Sequence, residues 1–436
     1  MYENTSQRAA GHDTVRFRSR QYSLDGRSFL IGRKKRLYSF ACAVRPEFKR
    51  GFFMPETVSK ESEYMRRAIA LAKNGEGRTN PNPLVGAVIV KNNEIIGEGF
   101  HQKYGGLHAE REALKNCKEN GNSAEGATLY VTLEPCCHFG KQPPCTQAIV
   151  KSGIRRVVVG SRDPNPLVHG KGNSFLREQG IEVTEDFLKD ECDALNPIFF
   201  HYISTRTPYV ALKYAMTADG KTASKTGKSK WITGEKSRLF VHQLRNRYSC
   251  ILAGIGTVLS DNPLLTSRIP GGRNPVRIIC DSKLRIPLDC NIVQTAKEIP
   301  TIIACCQENE KKSALEKSGC EVLYLPGKNG VNLKKLTETL GERSLDSILI
   351  EGGSEIHYSA LEAGIVQHIY AFTAPKIFGG KAKTPVEGEG IELPENCFQL
   401  ELERIEKIGD DILAEYNVPQ NASGKTCTGE QPCLQE

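Results

Sequence analysis

The stretch from His101 to Cys145 constrains this chain more than any other. It runs His101-Gln-Lys-Tyr-Gly-Gly-Leu-His108-Ala-Glu110 and, later, Pro135-Cys136-Cys137-His138-Phe-Gly-Lys141-Gln-Pro-Pro-Cys145. One histidine and two cysteines suit a Zn²⁺ whose fourth position stays open to water. His108 and Glu110 fall in the first turn of a helix over 108–117. Cys145 follows two prolines at the start of a helix over 145–151, where the dipole and free N–H groups favour a thiolate. Glu110 is in register for an acid/base that is not itself a ligand. A structural zinc site needs a fourth ligand, which Cys137 or His138 could supply. The glutamate in this register favours a catalytic site.

The surroundings read as alternating strands and helices. Ser59 or Ser62 can cap a helix whose Tyr64, Met65, Ala68, Ile69 and Ala72 share a face, and Gly75 can end it. Strands are expected over 84–90, 94–99, 128–133, 155–160 and 181–184, with a further helix over 172–179. This alternation implies an α/β sandwich over residues 54–200. Residues 196–207 read as a junction.

A second unit follows over 207–417. Strands are expected over 209–214, 250–253, 276–280, 301–304, 322–325, 347–350 and 367–372. Helices are expected over 235–246, 310–318 and 332–340, with further ones opening at Gly254 and after Gly353. A terminal hairpin over 398–408 and 412–416 turns at Gly409-Asp410. Repeated strand–loop–helix units imply a mainly parallel sheet with sites at the strand C-termini. Gly254-Ile-Gly256 and Glu351-Gly-Gly353 let a phosphate approach N–H groups at a helix start. No Gly-x-Gly-x-x-Gly is present, so the standard Rossmann fingerprint is absent.

Charge and cysteine usage narrow the function classes. The net charge is +8, and residues 1–53 carry all of that surplus, with 12 Lys/Arg against 4 Asp/Glu. The rest is neutral, which argues against a nucleic-acid face on the folded body. The basic leader resembles an organelle transit peptide in composition, or is upstream sequence before Met54. The expected location is cytoplasmic, with organelle targeting through residues 1–53 as the alternative. The 15 cysteines, odd in number and scattered, read as mostly reduced. No apolar run is long enough to span a membrane. The tail over 418–436 is polar.

The order His-x-Glu…Pro-Cys…Cys is that of zinc-dependent nucleobase deaminases. Common cytidine and tRNA deaminases carry Pro-Cys-x-x-Cys, whereas here eight residues separate Cys136 and Cys145. That long form, with Asn80-Pro-Asn-Pro-Leu-Val-Gly86 and Gly99-Phe-His101, resembles the deaminase half of the bifunctional riboflavin-biosynthesis deaminase/reductases. Ala211-Leu-Lys-Tyr-Ala-Met-Thr-Ala-Asp-Gly-Lys221, Ser229-Lys-Trp-Ile-Thr233, Gly254-Ile-Gly-Thr-Val-Leu-Ser-Asp-Asn-Pro-Leu264 and Leu349-Ile-Glu-Gly-Gly353 resemble the reductase half. The resemblance implies a cytidine-deaminase-like three-layer α/β/α domain followed by a dihydrofolate-reductase-like α/β domain.

It also implies a zinc held by His108, Cys136 and Cys145, with Glu110 catalytic. Asn82, His101, His138 and Lys141 would hold the deaminase substrate, a small phosphorylated pyrimidine, with Lys141 on its phosphate. NADPH would contact Ala215, Trp231, Thr257, Asp261, Ser282 and Gly353. Ser229, Arg245, Leu265, Arg268 and Glu351 would contact the reductase substrate, the two arginines facing phosphate. A homo-oligomer, dimer or tetramer, is expected. Cys137 departs from the small polar residue more usual there. The alternatives are a deaminase with a non-catalytic reductase domain, or a nucleic-acid-editing deaminase. From its residues alone, Trp231 could equally be a core anchor, and Arg285 either meets the NADPH 2′-phosphate or is a surface charge.

Overall fold

Short, nearly continuous apolar runs form strands buried on both sides, which gives sheets with helices on both faces. A computed structural model describes residues 59–139, 143–165 and 168–419. Lys141, the leader over 1–53 and most of the tail lie outside the described residues. The first unit runs α1 (Lys60–Ala72), β1 (Gly86–Lys91), β2 (Glu94–Phe100), α2 (Ala109–Glu119), β3 (Thr128–Leu133), α3 (Cys145–Lys151), β4 (Arg156–Ser161), α4 (Lys171–Glu178), β5 (Glu182–Thr184) and α5 (Lys189–Asp193). Its strand order is β2-β1-β3-β4-β5; β1 pairs antiparallel with β2 and β3, and β3-β4-β5 are parallel.

Successive side chains point to opposite faces of the sheet, and both faces are buried, which builds three layers here. Ala87, Ile89, Leu129, Val131, Val157 and Val159 face Ala113 of α2, Ile149 of α3 and Leu176 of α4. Val88, Val90, Tyr130 and Val158 face Met65 and Ala68 of α1 and Cys192 of α5. Ser59 is the cap of α1, accepting from the Ser62 backbone N–H. Gly99 is required by close approach: a Cβ there would lie 2.3 Å from the Ala113 amide nitrogen. That contact presses β2 against α2, whose first turn carries Glu110.

The expected junction over 196–207 is instead a helix, α6 (Pro197–Thr205). Pro197 at its first turn is pre-set for helix. The run Ile-Phe-Phe-His-Tyr-Ile is β-branched and aromatic throughout, which hid its helical period. The first strand begins at Gly86 rather than 84, after the proline-rich loop.

The second unit runs β6 (Tyr209–Thr217), α7 (Glu235–Arg247), β7 (Cys250–Gly254), α8 (Ile255–Asp261), β8 (Val276–Cys280), α9 (Asn291–Gln294), β9 (Thr301–Cys305), α10 (Lys311–Lys317) and β10 (Cys320–Tyr324). A short pair, β11 (Pro326–Gly327) and β12 (Gly330–Val331), then leads to α11 (Leu333–Glu342), β13 (Ser347–Gly352), α12 (Ser354–Glu362), β14 (His368–Ala374), β15 (Glu401–Ile408) and β16 (Asp411–Asn417). The nine-stranded order is β10-β9-β8-β7-β13-β6-β14-β16-β15. It is parallel from β10 to β14, with the antiparallel hairpin at one edge. Val210, Leu252, Ile278 and Ile348 pack on α11 and α12; Ile251, Ile279 and Ile303 pack on the other face. Among the described residues, no helix is long and apolar enough to cross a membrane.

The two units are bonded together. Asn80 Nδ2 donates to both oxygens of Asp346, at 2.8 and 3.1 Å, where Asp346 precedes β13 and is 1% exposed. Asn246 of α7 donates to the Glu76 carbonyl, and Arg247 pairs with the Glu76 carboxylate.

Candidate functional site

The first site forms where β3 ends and α2 and α3 begin. His108 is the N-cap residue of α2, with extended backbone. Cys145 is the first residue of α3. The Pro135-Cys136 turn follows β3 and is held down by the buried Glu134, whose carboxylate accepts from the Gly170, Gly172 and Asn173 N–H groups at the start of α4. His108 Nδ1 lies 3.5 Å from Cys136 Sγ and 3.4 Å from Cys145 Sγ. Tetrahedral bonds of ~2.05 Å to nitrogen and ~2.3 Å to sulfur put such atoms about 3.5 Å apart, so the donor set fits zinc. Among the described residues this is the one such cluster, and neither Cys137 nor His138 belongs to it. Three ligands leave the fourth position open.

The Cys145 N–H, a free amide at the helix start, donates to Cys136 Sγ at 3.3 Å. With the Cys145 thiol and His108 also directed at it, Cys136 is held down to about 4 despite burial. The Cys145 thiol is pushed up, because it donates to Cys136, is buried, and lies beside Glu110. Glu110 is 3% exposed, and burial raises its carboxyl above the usual range. A carboxyl so placed holds a proton nearer neutral pH than a solvated glutamate does.

These groups open onto a cavity of about 360 Å³. His101 Nδ1 faces the Leu107 carbonyl at 2.9 Å and so carries the hydrogen; Nε2 then accepts from Asn82 Nδ2 at 3.2 Å. That bond fixes the Asn82 amide, whose chain neighbour Asn80 is tied to Asp346. Burial keeps His101 neutral by lowering its pKa. His138 also lines the cavity, and its buried Nδ1 has no partner among the described residues, an orphan that a ligand can satisfy. Burial pushes Asp163, on the same cavity, up to about 6.

The second site lies at the C-terminal ends of the parallel strands, as the connectivity requires. Gly254 ends β7, Ser282 follows β8, Glu351 and Gly352 end β13, and Gly353 is the N-cap of α12. Gly353 has φ +73°, a left-handed conformation that favours glycine. A Cβ at Gly352 would lie 3.0 Å from Thr257 Oγ1, so this cradle exists because side chains are missing from it. Trp231 is 60% exposed and so is no core anchor; the Arg238 guanidinium sits 4.7 Å over its ring, and Lys376 Nζ binds the Trp231 and Ile232 carbonyls. Ala215 lies on β6, Asp261 ends α8, and Ser229 precedes the Trp231 turn. Arg285 is exposed, 3.9 Å from Asp281.

The expectation that Arg245 and Arg268 both face phosphate meets a competing partner. Arg245 Nε and Nη2 donate to the two Glu351 oxygens at 2.6 and 2.7 Å, and Nη1 donates to the Thr266 carbonyl. Its fork is committed to Glu351. Arg268 stays exposed and donates to His242. Leu265 is buried beneath them.

A model of the cytidine and deoxycytidylate deaminase zinc-binding region matches residues 58–161, and a model of the RibD C-terminal domain matches residues 208–414. The riboflavin biosynthesis protein RibD of Actinobacillus pleuropneumoniae is 56% identical over 359 residues, covering 82% of this chain and 95% of that protein. The chain belongs to the RibD family. RibD of Escherichia coli K12 is 37% identical over 367 residues, covering 81% of this chain and 98% of that protein. A crystal structure of the Thermotoga maritima deaminase/reductase, 40% identical, covers 83% of this chain and 99% of its own at a TM-score of 0.73. The chain is thus a bifunctional RibD deaminase/reductase of riboflavin biosynthesis, with both halves present.

Two features beside the candidate sites escaped the sequence reading. Lys213 on β6 is near Glu351 and Arg245, and burial lowers its pKa. A lysine directly after the apolar run Val210–Leu212, within the same strand, was the available signal. Helix α6 and Ser344 also line the deaminase cavity, though neither lies in the deaminase zinc-binding match.

Proposed function

We propose that residues 54–200 hydrolytically deaminate 2,5-diamino-6-(5-phosphoribosylamino)pyrimidin-4(3H)-one. Residues 207–417 then reduce the ribosyl group of 5-amino-6-(5-phosphoribosylamino)uracil to ribityl with NADPH. The observation that carries this reading is the three-ligand cluster with buried Glu110 beside it, opening onto a cavity. His108, Cys136 and Cys145 would hold zinc. When bound, the metal supplies Lewis acidity and an acidified water. Glu110 moves protons between that water, the ring nitrogen and the departing ammonia. Asn82 and His101, locked to each other, orient the pyrimidine, and His138 Nδ1 gains a partner. Lys141 would meet the phosphate.

In the second half the cofactor supplies the hydride, and the protein positions it. The cradle of Gly254, Thr257, Gly352 and Gly353 suits a cofactor phosphate. Ala215, Trp231, Asp261 and Ser282 would complete the NADPH contacts. Ser229, Leu265, Arg268 and Glu351 would bound the substrate, with Arg245 holding Glu351 in place. Lys213, its pKa lowered by burial, suits a proton donor.

A homo-oligomer belongs to the same reading. The outer strands β15 and β16 expose Leu402, Ile405 and Ile412, an apolar edge that a second copy would cover.

The test is incubation of purified protein with the diaminopyrimidine phosphate, with and without NADPH. Ammonia release without NADPH, and NADPH oxidation only when substrate is present, support both steps. NADPH oxidation without prior ammonia release would overturn the order.

A further inference from the structure

The deaminase cavity is closed by a helix that belongs to neither family match. Phe199, Tyr202, Ile203 and Arg206 line it. Their spacing, i, i+3, i+4 and i+7, puts them on one stripe of α6 and its C-cap. Both family matches, over 58–161 and 208–414, leave this helix out. Its position is nevertheless firmly set. Tyr202 Oη donates to the Gly341 carbonyl at the end of α11, and a Cβ at Gly341 would lie 2.1 Å from the Arg206 carbonyl oxygen. Ser344, in the turn between α11 and β13, reaches the same cavity.

Arg206 is the one Arg or Lys among the described residues lining that cavity. Glu110, Glu134 and Asp163 also line it, so its carboxyl groups oppose a phosphate unless a cation compensates. The Arg206 guanidinium rests 6.0 Å from the Tyr202 ring centroid, and among the described residues it forms no ion pair. Its residue ends α6 in the left-handed conformation, where the helix C-terminus favours positive charge. A planar fork of donors, without an acidic partner and facing a substrate cavity, is the chemistry that binds phosphate.

We propose that Arg206 binds the phosphate of the deaminase substrate. The linker helix, together with Lys141, then selects a phosphorylated ribosylaminopyrimidine over its dephosphorylated form. This rests on the deaminase reading above. It implies that deamination of the phosphorylated substrate draws on the chain past the zinc-binding region, because Gly341 of the reductase unit holds the helix that carries the cation.

The experiment compares zinc-loaded full-length wild type, Arg206→Gln and Arg206→Lys on the phosphorylated substrate and on the same compound after phosphatase treatment. A lost charge-assisted contact should raise KM for the phosphorylated compound roughly ten- to a hundredfold in Arg206→Gln. KM for the dephosphorylated compound should not move, and inorganic phosphate should inhibit the variant less. Arg206→Lys should recover part of the loss, since it keeps charge without the fork. Reduction of pre-deaminated substrate reports that each variant is folded. Unchanged discrimination in Arg206→Gln, or equal loss on both compounds, overturns the proposal. Wild type that deaminates neither compound instead removes the deaminase reading beneath it.

Discussion

Removing Glu351 should destabilise the reductase unit far more than an ordinary site mutation. The Arg245–Glu351 pair is held at 2.6 Å with side-chain exposures of 14% and 6%. Lys213 adds a second positive charge nearby. Glu351→Ala leaves these cations facing one another in a poorly solvated site. Breaking a buried pair by deleting one partner costs about 3–5 kcal/mol. In a unit of this size each kcal/mol moves Tm by about 2–4 °C, so the variant should melt roughly 6–20 °C lower. Arg245→Met/Glu351→Leu should recover part of that loss, because the larger orphan charge is gone while Lys213 keeps no acidic partner there. Both variants should lose reductase activity.

The pH dependence of the same pair has a defined sign. Burial alone would raise the Glu351 carboxyl, but the charge and hydrogen bonds of Arg245, with Lys213, hold it below its usual value. A depressed carboxylate stabilises the fold above its unfolded pKa of about 4.3, and that contribution disappears as pH falls through the lower folded value. The gap between wild type and Glu351→Ala should be full at neutral pH and narrow below about pH 4. Calorimetry across pH measures this. A variant melting within about 2 °C of wild type at neutral pH, or a gap that widens on acidification, refutes the reasoning.

Further outcomes are expected. Cys145→Ser should take bound zinc, measured by atomic absorption, from one equivalent towards none and abolish ammonia release while the reductase persists. Asp346→Asn weakens the bond to Asn80 by about 1–3 kcal/mol. It should raise KM for deamination through the Asn82 loop and spare reduction of pre-deaminated substrate; equal damage to both activities would argue against coupling through that loop. Ile405→Glu should shift the sedimentation of the protein to the monomer if the β15 edge is covered by a second copy.

The zinc cluster was legible because its ligands sit at element ends with local signals. His108 precedes an amphipathic helix, Cys145 follows two prolines, and Glu110 is two residues from His108. The layered fold was legible for a similar reason, since the nearly continuous burial along 86–91, 128–133 and 156–161 is written as apolar runs of adjacent residues. What escaped depends on distance along the chain. Asn80 and Asp346 are 266 positions apart, and Arg245 and Glu351 are 106 apart. No local pattern reports that such groups pair. Helix α6 was hidden by its own composition, because aromatic and β-branched residues fill both its faces. Its stripe towards the cavity shows only once the sheet beside it is in place.

The central claim is that one chain holds two separate active sites acting in sequence, and Glu110→Ala tests it most directly. The buried carboxyl should be dispensable for folding yet required for moving protons at the zinc site. The variant should release no ammonia from the diaminopyrimidine phosphate and still oxidise NADPH at the wild-type rate on the pre-deaminated uracil substrate. Ammonia release that survives the substitution, or loss of both activities in folded protein, would contradict the account.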